Sequence, residues 1–586
     1  MQVPEWFERA RRSGISETQR FLLLAILIGL FAGLSFVCFH ISMDYLTWFV
    51  LGTPVGANRL ATVLGPALGG GLASLLVLWI FRTAQGSGVN HTKAALYISD
   101  GHVPSGTVFG KFIACSLSIG SGNSLGPEDP ALHMGAGIGS WLGRTFGLAK
   151  ENMRRIAAVG AAAGIAAAFN TPITAVLFVI EEVIGGWNTA VMGSTILSAV
   201  SAVVVSRYFL GNEPLFRVPD FQLTHPSELL IYAGLGLVGG VLASFFVRGI
   251  TRLRALFDQQ PPRMRYIRPF VAGLFVGAIG LWFPQIMGAG YDAVDSALHD
   301  QFPWGFLLVL GLAKLLATTV CFSAGTPGGM FAPTLFSGAM IGGAIGGLAR
   351  LYWPFPTSPV DAYVLVGMGT FFAGVFRAPM TSVFMVFEVS ATYVIIVPVM
   401  IANTIAYLIS RKLQPVPFFS VIAQMEGLDL PSTEQLREEQ VLRVEDAMQS
   451  RAVPVFSQHT PVVLALAEMA QKGIPYSFVH KDGGSWSLLH DSDLHAASES
   501  GRDNSSLGIA FILEPTPTLH PDLPLDNAMR AIGSHPILPV CSRVGRQEIL
   551  GTLTLEDIHR AYGINHQEPL DEAQYPVESP HSEVAE

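Results

Sequence analysis

Charge is scarce in this chain. Asp, Glu, Lys and Arg make up 13% of its 586 residues, about half the share usual in a soluble domain. That shortage excludes an ordinary water-facing surface for most of the sequence. The net charge of −9 excludes the basic excess that nucleic-acid binding needs. Cysteine is scarcer still. Cys38, Cys115, Cys321 and Cys541 show no metal-ligand spacing, and three of them lie in apolar segments, so they read as core thiols. No nucleophile–base set and no cluster of metal ligands accompanies the buried acids discussed below, which argues against an enzyme.

What the chain has is apolar length. Half of its residues are hydrophobic and the mean hydropathy is +0.45. Residues 21–43 and 60–81 contain no Asp, Glu, Lys or Arg, and each run is long enough to span a bilayer. The first is too long for a signal-peptide core and reads as a retained helix. Glycine, at 61 residues, exceeds the usual share of about 7%, and small residues let helices pack closely in lipid. Arg9, Arg11, Arg12 and Arg20 precede the first span, and Arg248, Arg252, Arg254, Arg263, Arg265 and Arg268 crowd a central loop. The positive-inside rule places both stretches in the cytoplasm. Glu568, Asp571, Glu572, Glu578, Glu583 and Glu586 lie in a terminal stretch without Lys or Arg, which reads as a disordered acidic tail.

Glu128 stands out against this background, in Leu125-Gly126-Pro127-Glu128-Asp129-Pro130 between apolar helical stretches. An intramembrane carboxylate is a functional candidate by default. Pro130 suits a first helical turn, so Glu128 is expected at a helix start inside the bilayer, where N–H groups and a positive dipole end favour an anion. The chain also repeats itself. Residues 111–139 laid on 314–342 agree at 10 of 29 positions, among them Lys111/Lys314, Gly126/Gly329, Pro130/Pro333 and Gly135/Gly338. Phe169-Asn170-Thr171-Pro172-Ile173-Thr174 echoes Phe376-Arg377-Ala378-Pro379-Met380-Thr381, and each is followed by a carboxylate, Glu181 and Glu388. Interrupted helices at corresponding positions of two halves point to a transport site. The halves differ where it matters, with Glu128 answered by Phe331.

These motifs bear a specific likeness. Gly86-Ser87-Gly88-Val89, Gly126-Pro127-Glu128-Asp129-Pro130, Gly329-Met330-Phe331-Ala332-Pro333, and Ala168-Phe169-Asn170-Thr171-Pro172 leading to Glu181-Glu182 resemble the CLC family of chloride channels and proton-coupled anion exchangers. The resemblance covers roughly residues 20–425. It implies an all-α polytopic membrane protein with inverted-repeat architecture and broken helices, and a homodimer in a bacterial inner membrane with both termini cytoplasmic. It further implies that Ser87 offers its hydroxyl to a central anion and that Met330 and Phe331 supply backbone N–H groups. Glu128 would be the external gate and Glu182 the internal proton acceptor, with chloride and protons as the transported species and no cofactor required. A passive chloride channel on the same scaffold is the alternative. Three positions depart from the family pattern: Phe419 replaces a tyrosine at the central site, Asp129 a glycine and Asn90 a proline.

Several residues carry a plainer reading as well. Ser87 could be a turn residue, Glu181 an interfacial acid, and Asp129 a helix-start acid. Lys111 and Lys314 read as structural lysines at helix ends, and His133 as a packed histidine. The expected organisation is a cytoplasmic segment over 1–20 and a membrane domain over 21–427, in halves of about 21–210 and 228–427. A linker over 428–443 leads to two soluble α/β units over 444–503 and 511–565, and the acidic tail covers 566–586. The soluble units resemble a pair of CBS domains, the cystathionine-β-synthase type. In that resemblance Thr554 and Asp557 could hold the ribose of an adenine nucleotide; a purely structural brace is the other reading.

Overall fold

Glycine and proline cut the apolar sequence into helices of unequal length. A computed structural model describes residues 17–562, apart from 149, 187–188, 213–214, 217, 219–223, 429, 431–441, 452, 483, 534 and 543–547. The acidic tail, most of the linker and Arg9, Arg11 and Arg12 therefore lie outside the described residues. The first half holds α1 (Glu17–Leu51), α2 (Arg59–Trp79), α3 (Gly88–Tyr97), α4 (Ser105–Gly120), α5 (Glu128–Thr145), α6 (Lys150–Phe169), α7 (Pro172–Phe178) and α8 (Thr189–Leu210). The second holds α9 (Glu228–Asp258), α10 (Arg268–Gly280), α11 (Tyr291–Leu298), α12 (Trp304–Ser323), α13 (Phe331–Tyr352), α14 (Val360–Phe376), α15 (Pro379–Ser390) and α16 (Ile396–Leu413), and α17 (Phe418–Met425) follows. Among the described residues, seven helices are long and apolar enough to cross a membrane. Their outer faces carry exposed Leu23, Phe31, Trp48, Phe49, Leu68 and Phe245, as lipid-facing helices do. Cys38 is exposed on α1, unlike buried Cys115 and Cys321; the core-thiol expectation does not hold for it, because α1 turns that side chain away from its neighbours.

The repeat in sequence is a repeat in space. Each helix of the first half has its counterpart eight helices later. The packing pairs repeat too: α1 on α8 and α9 on α16, α5 on α6 and α13 on α14. Gly135 lies against the backbone of Gly160, and its counterpart Gly338 against that of Gly367. A Cβ at either would drive these helices apart. The chain reverses identically at both interruptions, where Asn170 and Arg377 take left-handed backbone angles (φ 59° and 56°) and a proline opens the next helix.

Equivalent residues also meet each other. Gly126 N–H donates to the Gly329 carbonyl at 2.8 Å and Gly329 N–H to the Gly126 carbonyl at 2.7 Å. Such a reciprocal antiparallel pair between counterparts requires a local two-fold relation between the halves. The same relation exchanges caps. Glu181 accepts from Thr381 N–H (2.9 Å) and Thr381 Oγ1 (2.7 Å) at the start of α15, while Glu388 accepts from Ile173 N–H (2.9 Å) and Thr174 N–H (2.6 Å) at the start of α7. Glu181 is thus a helix cap and not an interfacial acid. Lys111 and Lys314 are structural, but mid-helix instead of at helix ends. They bond the loop carbonyls of Gly86 (2.7 Å) and of Ile286 and Gly288 (2.8 and 2.6 Å).

The described residues beyond 441 form a second compact unit. Its described elements are α18 (Val444–Ala447), β1 (Val455–Ser457), α19 (Val462–Lys472), β2 (Tyr476–His480), β3 (Trp486–His490), α20 (Asp491–Glu499), α21 (Leu507–Ala510), α22 (Leu525–Ile532), β4 (Leu538–Cys541), β5 (Ile549–Leu553) and α23 (Leu555–Ala561). β1 pairs parallel with β2, β2 antiparallel with β3, and β4 antiparallel with β5. The described residues of this unit hold three apolar clusters. One joins Phe456, Val462, Leu489, Leu494 and Leu507; the second joins Leu519, Leu525, Leu538, Leu553 and Ile558; a smaller one joins Phe478, Trp486, Ile537 and Cys541. Val444 and Ala447 belong to the second core, so α18 packs with the later module although the sequence places it at the head of the earlier one. The reason is a tertiary contact, since Val444 N–H bonds the Leu523 carbonyl.

Asp557 holds that crossing together. Both its oxygens take a fork from Arg451, at 2.6 and 2.7 Å, and Oδ2 also accepts from Thr554 N–H (3.0 Å) and Oγ1 (2.8 Å). Burial alone would raise this carboxyl, but the hydrogen bonds from Arg451 and Thr554 outweigh burial and hold it below the usual carboxylate range. A group held low in the folded state stabilises above its unfolded pKa, about 3.9, and stops doing so as pH falls through the lower folded value. Asp557→Ala should destabilise this unit by roughly 1.5–3 kcal/mol, the range for hydrogen bonds to charged groups. Hydrogen exchange of residues 549–561 in the full-length protein measures this, and unchanged protection at neutral pH would refute it.

Candidate anion site

Three helix starts converge where the halves meet. Pro127 precedes α5, so Glu128 and Asp129 occupy the first turn of that helix. The two carboxylates diverge to two other helix starts. Glu128 is fully buried; its Oε2 accepts from Ala332 N–H at the head of α13, at 3.3 Å, and its Oε1 accepts from the Tyr291 hydroxyl on the first residue of α11. Tyr291 is in turn packed edge-on against Phe216, 5.8 Å between ring centres. The Ala332 N–H lies at the same helix start as Met330 and Phe331, whose N–H groups were expected to face an anion. Met330 sits at the cap position of α13, and the Phe331 ring joins an aromatic cluster with Phe178, Phe376 and Phe419 at 5.1, 4.8 and 6.2 Å.

Asp129 turns to α3. Its carboxylate accepts from Gly88 N–H (2.8 Å), Val89 N–H (3.1 Å) and the Ser87 hydroxyl (3.2 Å), while Ser87 N–H donates to Glu426 at 3.2 Å. Asp129 is therefore more than the helix-start acid expected, and the Ser87 hydroxyl is engaged by the chain itself. Asn90 donates to the Phe419 carbonyl at 3.0 Å, which ties α17 to α3. Phe419 walls this region with a ring stacked on Phe376 at 5.2 Å.

A cavity of about 480 Å³ reaches Gly86 at the edge of the Ser87 loop. Arg82, Lys111, Arg254, Arg265, Arg268 and His91 line it against Asp258 and Glu426, so basic groups prevail and the cavity attracts anions. His133 is buried and its ring stacks on His91 at 5.6 Å, as a packed histidine. Away from the cavity, the helix continuing α7 widens to a π-helical turn over Val179–Ile184, and Glu182 is buried there in an ion pair with Lys93 of α3. Lys93 also lies 5.8 Å from the centre of the Phe419 ring. Among the described residues no group of His, Cys, Asp and Glu could hold a metal ion.

Residues 69–411 match the family profile described as voltage gated chloride channel. The chain belongs to the CLC family. A ClcB-like chloride channel protein of Ralstonia nicotianae is 33% identical over 399 residues, spanning 66% of this chain and 92% of that protein. The H(+)/Cl(-) exchange transporter ClcA of Vibrio cholerae is 30% identical over 417 residues, spanning 68% and 88%. Among solved structures, a slow cyanobacterial Cl−/H+ antiporter matches with a TM-score of 0.64 and 26% identity, over 72% of this chain and 99% of that one. A eukaryotic CLC transporter covers 92% of this chain and 98% of its own with a TM-score of 0.61 at 20% identity, a likeness of fold alone. The chain is thus a polytopic membrane protein of CLC architecture, in a family of membrane ion-transport proteins.

Two residues of this CLC site had no signal in the sequence motifs. Tyr291 follows Gly290 at a helix start far from Glu128 in sequence, and Lys93 sits two turns into α3 with an unrelated glutamate as its partner. Tyr291→Phe keeps the ring and removes the O–H that holds Glu128. A hydrogen bond to a charged group contributes about 1.5–3 kcal/mol, so a Glu128 side chain free of it should leave its seat roughly ten to a hundred times more often. Chloride efflux from liposomes should rise accordingly, and an unchanged rate would show that the Tyr291 contact does not limit transport.

Proposed function

We propose that the protein moves chloride across a membrane in exchange for protons, with Glu128 as the external gate and Glu182 as the internal proton acceptor. The observation that carries this reading is the seat of Glu128, a fully buried carboxylate on an N–H group of the α13 start. A helix start inside a membrane protein binds anions. A carboxylate there is an anion on a tether, and protonation removes its reason to stay. Ser87, Met330, Phe331 and Phe419 border the same region. Chloride and protons are the transported species, the relatives named as H(+)/Cl(-) exchange transporters support that choice, and no cofactor enters. A homodimer, and cytoplasmic termini at a bacterial inner membrane, belong to the same proposal.

The passive-channel reading has one observation in its favour. Lys93 pairs with Glu182 in a buried setting, so the carboxylate that would relay protons is already engaged by an ammonium of the chain itself. An imposed chloride gradient across liposomes separates the two readings, because only an exchanger takes up protons against it. Glu128→Gln is neutral and cannot carry the proton, so coupling should vanish while chloride still moves. Glu182→Gln should stop proton flux with chloride binding largely intact, whereas Glu181→Gln should act on stability through the α15 cap. Proton uptake that survives Glu128→Gln would refute the gate assignment.

For the C-terminal unit we favour a CBS-type pair acting as a structural brace. Asp557 is saturated by Arg451 and Thr554, so an adenine nucleotide would have to displace Arg451 to reach it. A ligand at a hundredfold excess over Kd would add about 2.7 kcal/mol of stability. No thermal shift is expected with millimolar ATP, ADP or AMP; a clear shift lost in Asp557→Ala would favour nucleotide binding at Thr554 and Asp557.

A further inference from the structure

Asp129 has a position that capping its own helix does not require. Its carboxylate leaves α5 and fills the head of α3, where Gly88 N–H, Val89 N–H and the Ser87 hydroxyl all point at it. All of these donors are buried. Without this side chain the three would converge on one empty point, and their acceptor would have to come from solution. Among the charged groups that line the cavity reaching Gly86, basic ones outnumber Asp258 and Glu426, so that side favours an anion.

We infer that Asp129 is a second tethered anion, seated in the cradle of Ser87, Gly88 and Val89, and that a transported anion enters this cradle only by displacing it. The inference rests on the reading of the Ser87 loop as part of the anion path. It makes Asp129 a residue that sets anion affinity, in series with Glu128 and on a different helix start. The aspartate is one methylene shorter than the glutamate, so it leaves by rotation about χ1 to another staggered position and cannot swing on a longer arm. A seat that is filled about 90% of the time weakens the apparent affinity of a mobile anion tenfold.

The test is chloride titration by calorimetry on the full-length protein, with bromide crystals of the same variants to locate the anion. Asp129→Gly should bind chloride at least tenfold more tightly than the wild type. Bromide should then appear within hydrogen-bond distance of Ser87 Oγ and the Gly88 and Val89 nitrogens, where the wild type shows none. Asp129→Asn keeps the shape and loses the charge; it should show a smaller gain, and it carries the test if the glycine variant does not fold. Bromide in the cradle of wild type and variant alike, with equal affinities, would overturn the inference and leave the anion path through this loop intact. No bromide in the cradle of either variant, while both still transport chloride, would overturn the reading of the loop and the inference with it.

Discussion

A backbone N–H inside an apolar interior must find an acceptor, and most of this structure follows from that requirement. Continuous helices satisfy it internally, but every interrupted helix exposes fresh donors at its start, with no water in the hydrocarbon to take them. The chain answers with carboxylates from elsewhere in the fold. Glu128 serves α13, Asp129 and Glu426 serve α3, Glu181 serves α15 and Glu388 serves α7. Glu228 does the same for the segment before α14, accepting from Ser358 N–H at 2.8 Å. The acids of the membrane domain are few, and these are spent on helix starts.

The acids that meet this requirement are not all held in the same way. Glu181 and Glu388 each take a backbone N–H and a threonine hydroxyl of one residue, so each is gripped from two directions on a single helix end. Glu128 is gripped differently, by one longer N–H contact and one phenol from another helix. Its two holds lie on separate elements, and the loss of either leaves the side chain a way out. Carboxylates with the same chemistry thus differ in how their partners are distributed over the fold, and the split hold on Glu128 is the one that suits the gate proposed for it.

The sequence was most informative where chemistry is local. Gly126, Pro127 and Pro130 fix the helix start that carries Glu128 within a handful of residues, and the turn at Asn170-Thr171-Pro172 recurs at Arg377-Ala378-Pro379 in the same form. The partners of those groups were not legible. Tyr291 lies 163 residues from Glu128 and Lys93 lies 89 from Glu182, and no spacing rule connects such pairs. Asp129 read as a helix-start acid because the dipole of its own helix is a local fact, whereas its donors 40–42 residues upstream are a tertiary one. The crossing of α18 to the second C-terminal core was hidden for the same reason, since a four-residue helix with two apolar positions, Val444 and Ala447, fits either neighbour until the strands are placed.

The Gly126–Gly329 pair carries one more consequence. Residues that meet their own counterparts across a two-fold must be complementary to themselves, as in an isologous contact between identical subunits. Glycine meets that condition, with two N–H groups and two carbonyls trading places. A carboxylate two residues further on does not. If Phe331 were also a glutamate, two like charges would face one another beside the axis in a low-dielectric interior, and one would have to be neutralised or expelled. Such a site takes one acid and one apolar ring. The unequal pair of Glu128 and Phe331 is therefore the arrangement that lets two matched halves lie so close and still hold the Glu128 carboxylate between them.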